Sequence, residues 1–137
     1  MNASERNHLL NTQLVGKVRH EGLVMKLPVD KPLKHGKEHQ WKARYFVLAD
    51  NIAYFSDEKQ YTSGKKPKGV LCLDYATVEQ DPGDPLIFVL RTPAKNVALR
   101  TETIPDSERW IRAIRSVTTV AEDEEDVKGL LYRGTKG

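Results

Sequence analysis

The sequence predicts a mainly β domain, a seven-stranded antiparallel barrel or sandwich capped by one C-terminal helix. Three observations predict it. From Glu21 onward apolar residues recur with period two in short runs, turn-forming residues separate those runs, and after Thr103 the period lengthens to that of a helix. At 137 residues the chain is long enough for one core to bury roughly two thirds of the surface its unfolded form exposes.

Seven short runs rich in β-branched and aromatic residues read as strands: 22–27, 41–48, 51–56, 69–73, 76–79, 86–91 and 96–102. Asp50-Asn51 is a tight turn that makes the second and third runs a hairpin. Ser63-Gly64 and Pro67 break a long loop, and Asp81-Pro82-Gly83-Asp84-Pro85 is a turn by composition. In the closing helix Trp110, Ala113, Ile114 and Val117 recur at i, i+3, i+4 and i+7, while Arg109, Arg112 and Arg115 face away. Thr103 with Asp106 three residues on forms a capping box, and Pro105 and Glu108 suit the first turn.

The domain itself spans 20–120. Residues 1–19 form an N-terminal extension, either disordered or a short amphipathic helix with Leu9, Leu10, Leu14 and Val18 on one stripe. Residues 121–137, with the acidic run Glu122–Asp126, form a solvated tail.

Cys72 is the single cysteine, so no disulfide framework exists, and a reducing, cytoplasmic setting is the simpler expectation. Met1–Leu14 contains Glu5 and Arg6 and no long apolar stretch, unlike a signal peptide or a span, so membrane contact is expected to be peripheral. The net charge of +3 hides an uneven distribution, because Lys26–Lys68 holds ten Lys and Arg against five Asp and Glu. That segment points to an anionic partner.

The second strand is the informative one. Alternation puts Lys42 and Arg44 on the same face as Phe46 and Leu48, and two unpaired buried cations would cost several kcal/mol each. They therefore belong at an open, wet barrel mouth. Lys26 shares a face with Val24 at the end of the first strand, and antiparallel pairing brings it near Lys42 and Arg44. The loop between them adds Lys31, Lys34, Lys37, His35 and His39. Such a ring suits a multiply charged anion.

These residues resemble the pleckstrin-homology (PH) family, whose pattern is a lysine ending the first strand, a loop, and then Lys/Arg-x-Arg followed by aromatic and aliphatic residues. Here that pattern reads Lys26, the loop, and Lys42-Ala43-Arg44-Tyr45-Phe46-Val47-Leu48. The resemblance runs from about His20 to Val117 and ends on the helical Trp110. It implies phosphoinositide headgroups and an anionic membrane as partners, with Lys26, Lys42 and Arg44 on the ring phosphates and Tyr54 and Lys68 assisting. Lys31, Lys34, Lys37, Lys65 and Lys66 would then meet the bilayer surface. The first loop departs from the pattern by its length and by Pro28 and Pro32. Three charge-assisted contacts at roughly 1.5 to 3 kcal/mol each approach the ~8 kcal/mol of micromolar binding, and each surface lysine near an anionic bilayer adds about 1 kcal/mol.

The alternative on the same fold is a protein-interaction module with weak or no specific lipid binding, which an exposed Trp41 or Tyr45 would favour. Other signals point away from chemistry. His35 and His39 have no third ligand and lie around Gly36, so no metal or cofactor is expected. Gly64-Lys65-Lys66 lacks the rest of a P-loop, Lys65-Lys66-Pro67-Lys68 reads as a surface loop, and Cys72 is either a small core residue or an exposed strand residue. No nucleophile stands with an oriented base, so catalysis has no candidate. Nucleic acid is not expected, because aromatics do not interleave with the cations on a common strand face.

Overall fold

A computed structural model of the chain describes residues 14–29 and 40–118. Its strands are β1 (His20–Pro28), β2 (Lys42–Leu48), β3 (Ile52–Phe55), β4 (Gly69–Leu71), β5 (Thr77–Gln80), β6 (Ile87–Arg91) and β7 (Asn96–Arg100). A short helix α1 (Glu58–Thr62) lies between β3 and β4, and α2 spans 104–118. All pairings are antiparallel in one seven-stranded sheet, ordered β4-β3-β2-β1-β7-β6-β5.

The strands fall where period two places them, with two ends shortened by two residues. The fourth stops at Leu71, and Cys72, free and exposed, follows it. The seventh stops at Arg100, because Thr101 turns the chain into α2: its amide donates to Leu86 O at 3.0 Å and its hydroxyl to Thr103 O at 2.8 Å. The Asp50-Asn51 turn joins β2 to β3 as a hairpin, with Tyr45 opposite Phe55 and Leu48 opposite Ile52.

The core inside the sheet contains Val24, Phe46, Leu48, Ile52, Phe88, Leu90, Val97 and Leu99, closed by Trp110, Ile111 and Ile114 of α2. Helix α2 starts as expected, with the Asp106 amide donating to Thr103 Oγ1 at 3.3 Å. Trp110 sets its ring edge-on to His20 at 4.4 Å, and a Cβ on Gly22 would stand 3.9 Å from it. The helix thus covers the barrel end where β1 begins.

The mixed polarity of both β2 faces has a structural cause: its second half is covered on both sides. Tyr45, Val47, Ala53 and Phe55 face outward under a second cluster built from Leu14 and Tyr61, with Val18 packed against it. This cluster holds two corrections to the sequence reading. The stretch read as a plain loop contains α1, whose N-cap Asp57 accepts from the Gln60 amide at 2.9 Å. Leu14 and Val18 belong to no helix among the described residues but to an extended strap. The strap is held by Asp50 N to Val15 O at 2.7 Å and Arg19 N to Leu48 O at 2.7 Å. Leu9 and Leu10 lie outside the described residues.

Candidate functional site

The first half of β2 is bare, and there the cations gather. The β1–β2 register sets Lys26 directly opposite Lys42 and Val24 opposite Arg44, so all three cations share the inward face at the end α2 leaves uncovered. Lys26 and Arg44 are half-buried and Lys42 is exposed. The Arg44 guanidinium is tied to its own strand by Nη1 donating to Ala43 O at 2.8 Å.

Tyr54 forms the floor. It pairs with Phe46 across β2–β3 and stacks on that ring at 5.1 Å between centroids. Lys26 Nζ stands 4.9 Å and Lys95 Nζ 5.4 Å from the Tyr54 centroid, and Lys95 Nζ also donates to Tyr54 Oη at 3.2 Å. Each cation–π contact is worth about 0.5–1 kcal/mol at such a site, while two ammonium groups around one ring repel each other. An anion held between them converts that repulsion into attraction.

Glycine is required behind the ring. Tyr54 lies across Gly69, its partner on β4, so closely that a Cβ there would overlap the phenol. The Lys68 amide donates to Tyr54 O at 2.8 Å, while its side chain, like those of Lys65 and Lys66, is exposed. The structure therefore brings together Lys26, Lys42, Arg44 and Tyr54, with Lys68 attached through its backbone. Lys31, Lys34 and Lys37 lie outside the described residues.

Lys95 is the member that sequence reasoning missed. It closes the β6–β7 hairpin, where Thr92 N donates to Lys95 O at 3.0 Å and Lys95 N to Thr92 Oγ1 at 3.1 Å. The Thr92-Pro93-Ala94-Lys95 turn is visible in the sequence. That it opens beside Lys26 follows only from the β1–β7 pairing of Pro28 with Val97.

Elsewhere the titratable groups serve packing. Burial first, and then the nearby Glu58 charge, raises the Glu21 carboxyl on the outer face, and burial likewise raises the Tyr45 and Tyr61 hydroxyls above it. Tyr45 donates to Glu58 Oε2 at 3.4 Å and is buried, so it presents no docking surface, and Trp41 is half-buried. Among the described residues no group of three His, Cys, Asp or Glu side chains is placed to hold a metal ion, and no helix is long and apolar enough to cross a membrane. His35 and His39 lie outside those residues.

An antiparallel seven-stranded sheet closed at one end by a C-terminal helix and lined by cations at the other is the architecture of a small helix-capped β module. The family model for the PH domain matches residues 18–119, and the chain belongs to that family. Its fold is in general a non-enzymatic one. Among curated proteins the chain is similar to Cytohesin-2 of Bos taurus, at 27% identity over 128 residues, covering 73% of this chain and 30% of that protein. It is also similar to Cytohesin-3 of Homo sapiens, at 34% over 61 residues, 43% of this chain and 14% of that one. The chain thus spans less than a third of these relatives.

Among solved structures, the carboxyl-terminal PH domain of pleckstrin matches with TM-score 0.61 at 20% identity, covering 76% of this chain and 99% of that one. The same domain in complex with D-myo-Ins(1,2,3,4,5)P5 matches with TM-score 0.56 at 20% identity, covering 74% and 99%. The PH domain of human oxysterol-binding protein-related protein 11 matches with TM-score 0.62 at 24% identity, covering 80% and 87%.

Proposed function

We propose that this domain, residues 20–120 of the chain, binds phosphoinositide headgroups at its open mouth and recruits a cytoplasmic protein peripherally to anionic membranes. The observation that carries the reading is the convergence of Lys26, Lys42 and Arg44 from β1–β2 with Lys95 from the β6–β7 hairpin around Tyr54. Lys26, Lys42 and Arg44 hold ring phosphates, Lys95 contacts the ligand from the opposite wall, and Tyr54 forms the floor beneath it. The bound D-myo-Ins(1,2,3,4,5)P5 of the similar pleckstrin domain supports this ligand class. Lys31, Lys34, Lys37, Lys65, Lys66 and Lys68 add salt-sensitive attraction to the bilayer.

Sedimentation with liposomes of defined phosphoinositide content tests the reading. Binding above that to plain anionic liposomes, lost in Lys26→Ala and Arg44→Ala chains, is expected. Equal binding to both liposomes, or binding unchanged by the substitutions, rejects a specific pocket and leaves charge alone.

A further inference from the structure

Strand β5 is an edge of the sheet, paired with β6 on one side only. Asp81 N donates to Ile87 O at 2.8 Å, so the hydrogen-bonded pairs of this ladder are Glu79 with Val89 and Thr77 with Arg91. The backbone N–H and C=O groups of the alternate residues, Val78 and Gln80, therefore face the open edge. Helix α2 lies across it, and Gln80, Glu108, Ile111, Arg112 and Arg115 line a groove of about 390 Å³ between the two elements. Arg115 Nη2 donates to Val78 O at 3.0 Å, the position that the N–H of an added strand would take.

Charge and spacing define what fits. Ile111 is a buried apolar floor beside Gln80, while Arg112 and Arg115 are exposed. Glu108 stands one helical turn before Arg112 and offsets that cation, and Glu79 lies on the opposite face of β5. Arg115 has no carboxylate partner among the described residues, and Val78 O uses only one of its donors. Helix α2 runs opposite to β5, from Ile111 beside Gln80 to Arg115 at Val78. An added antiparallel strand, the more stable pairing, therefore runs with α2. Its residue opposite Gln80 rests on Ile111, and its residue opposite Val78, two positions later, meets Arg115. The rise of about 6.0 Å along the helix from 111 to 115 matches the rise of about 6.6 Å over two strand residues.

We infer that this groove takes an extended acidic segment of a partner protein, in which an apolar residue is followed two positions later by Asp or Glu. The segment adds to β5 through Gln80 and Val78. Its N–H replaces the guanidinium on Val78 O, and the released Arg115 pairs with the incoming carboxylate beside Arg112. None of the mouth residues takes part, so peptide and headgroup bind independently.

The test is an amide chemical-shift titration of the full chain with the capped peptide acetyl-Thr-Val-Thr-Leu-Thr-Glu-Thr-amide. Saturable shifts at Val78, Gln80, Ile111, Arg112 and Arg115 are expected, with slowed hydrogen exchange at the Val78 and Gln80 amides. Replacing the peptide Glu by Gln, or its Leu by Ser, should weaken binding about tenfold. An Arg115→Glu chain should lose the Glu peptide and prefer the one with Lys in its place, which separates a lost contact from a lost fold. Affinity for inositol hexakisphosphate should be unchanged by saturating peptide. Equal binding of the Glu and Gln peptides, shifts centred on Lys26, Lys42 and Arg44, or no saturation at about 1 mM overturns the proposal. Shifts of Val78 and Gln80 that grow with protein concentration alone would assign the edge to a second copy, and shifts of Glu122–Asp126 on adding peptide would assign it to the chain's own acidic run. Either result overturns the proposal.

Discussion

Gly69→Ala should damage the mouth from behind. A Cβ at this position would overlap Oη and Cζ of Tyr54 and stand 2.7 Å from its Cε1. The ring has little room to retreat, because it is buried, stacked on Phe46 at 5.1 Å and hydrogen-bonded to Lys95 at 3.2 Å. Overpacking costs roughly 1–3 kcal/mol. Partial loss of the stack and of the Lys95 bond adds about 0.5–1.5 kcal/mol each. A net loss of about 3 kcal/mol corresponds to roughly 12–24 °C in Tm for a domain of this size. Thermal unfolding followed by near-ultraviolet circular dichroism measures it, and calorimetry with a soluble inositol polyphosphate measures the accompanying loss of affinity. In a Tyr54→Ala background the substitution should cost little, since its partner in the clash is gone. A Gly69→Ala chain within about 0.5 kcal/mol of the parent, or an equal cost in both backgrounds, would refute the argument.

Four further outcomes follow from other sites. Tyr75 is 74% exposed and holds φ at 62°, so Tyr75→Asn should raise stability by about 0.5–1 kcal/mol in urea unfolding, because asparagine tolerates the left-handed region. Leu14→Ala should lower stability by about 2 kcal/mol in the same assay, since Leu14 is buried against Val47 and Tyr61. His20 has its pKa lowered from the ordinary 6.5 chiefly by burial, against a smaller opposing pull from Asp106. The fold therefore favours its neutral form, and that stabilisation is complete above about 6.5 and lost as pH falls below it. Thermal melts should show the parent losing stability relative to His20→Gln between pH of about 7.5 and 5.5. Lys95→Ala should weaken inositol polyphosphate binding about tenfold while lowering Tm by about 2–10 °C, because it removes a rim cation and one half-buried hydrogen bond to Tyr54.

What was legible in the sequence is what local periodicity carries. Alternation from Glu21 to Arg100 located every strand, and the Trp110 stripe with the Thr103 cap located α2. The mouth was legible because cations on the core side of β1 and β2 have only one low-energy place to stand, and the register of Lys26 on Lys42 puts them there. Non-local pairing was invisible. Lys95 joins Tyr54 only through the β1–β7 ladder, which no sequence spacing announces. Helix α1 has five residues, too few to display a helical period. Leu14 and Val18 have helical spacing, yet an isolated helix of that length is marginal, and burial against the outer face of β2–β3 wins. That outer cover also blurred the alternation of 41–48, since residues on both sides of the strand had an apolar surface to meet.

The central claim is that the mouth around Tyr54 is the headgroup site. Amide and side-chain chemical-shift mapping on titration with soluble inositol polyphosphate tests it most directly. The account predicts saturable shifts concentrated at Lys26, Lys42, Arg44, Tyr54 and Lys95, with the α2–β5 groove around Gln80 and Arg112 unperturbed. Shifts concentrated in that groove, or linear and scattered over the surface lysines without saturation, would contradict it.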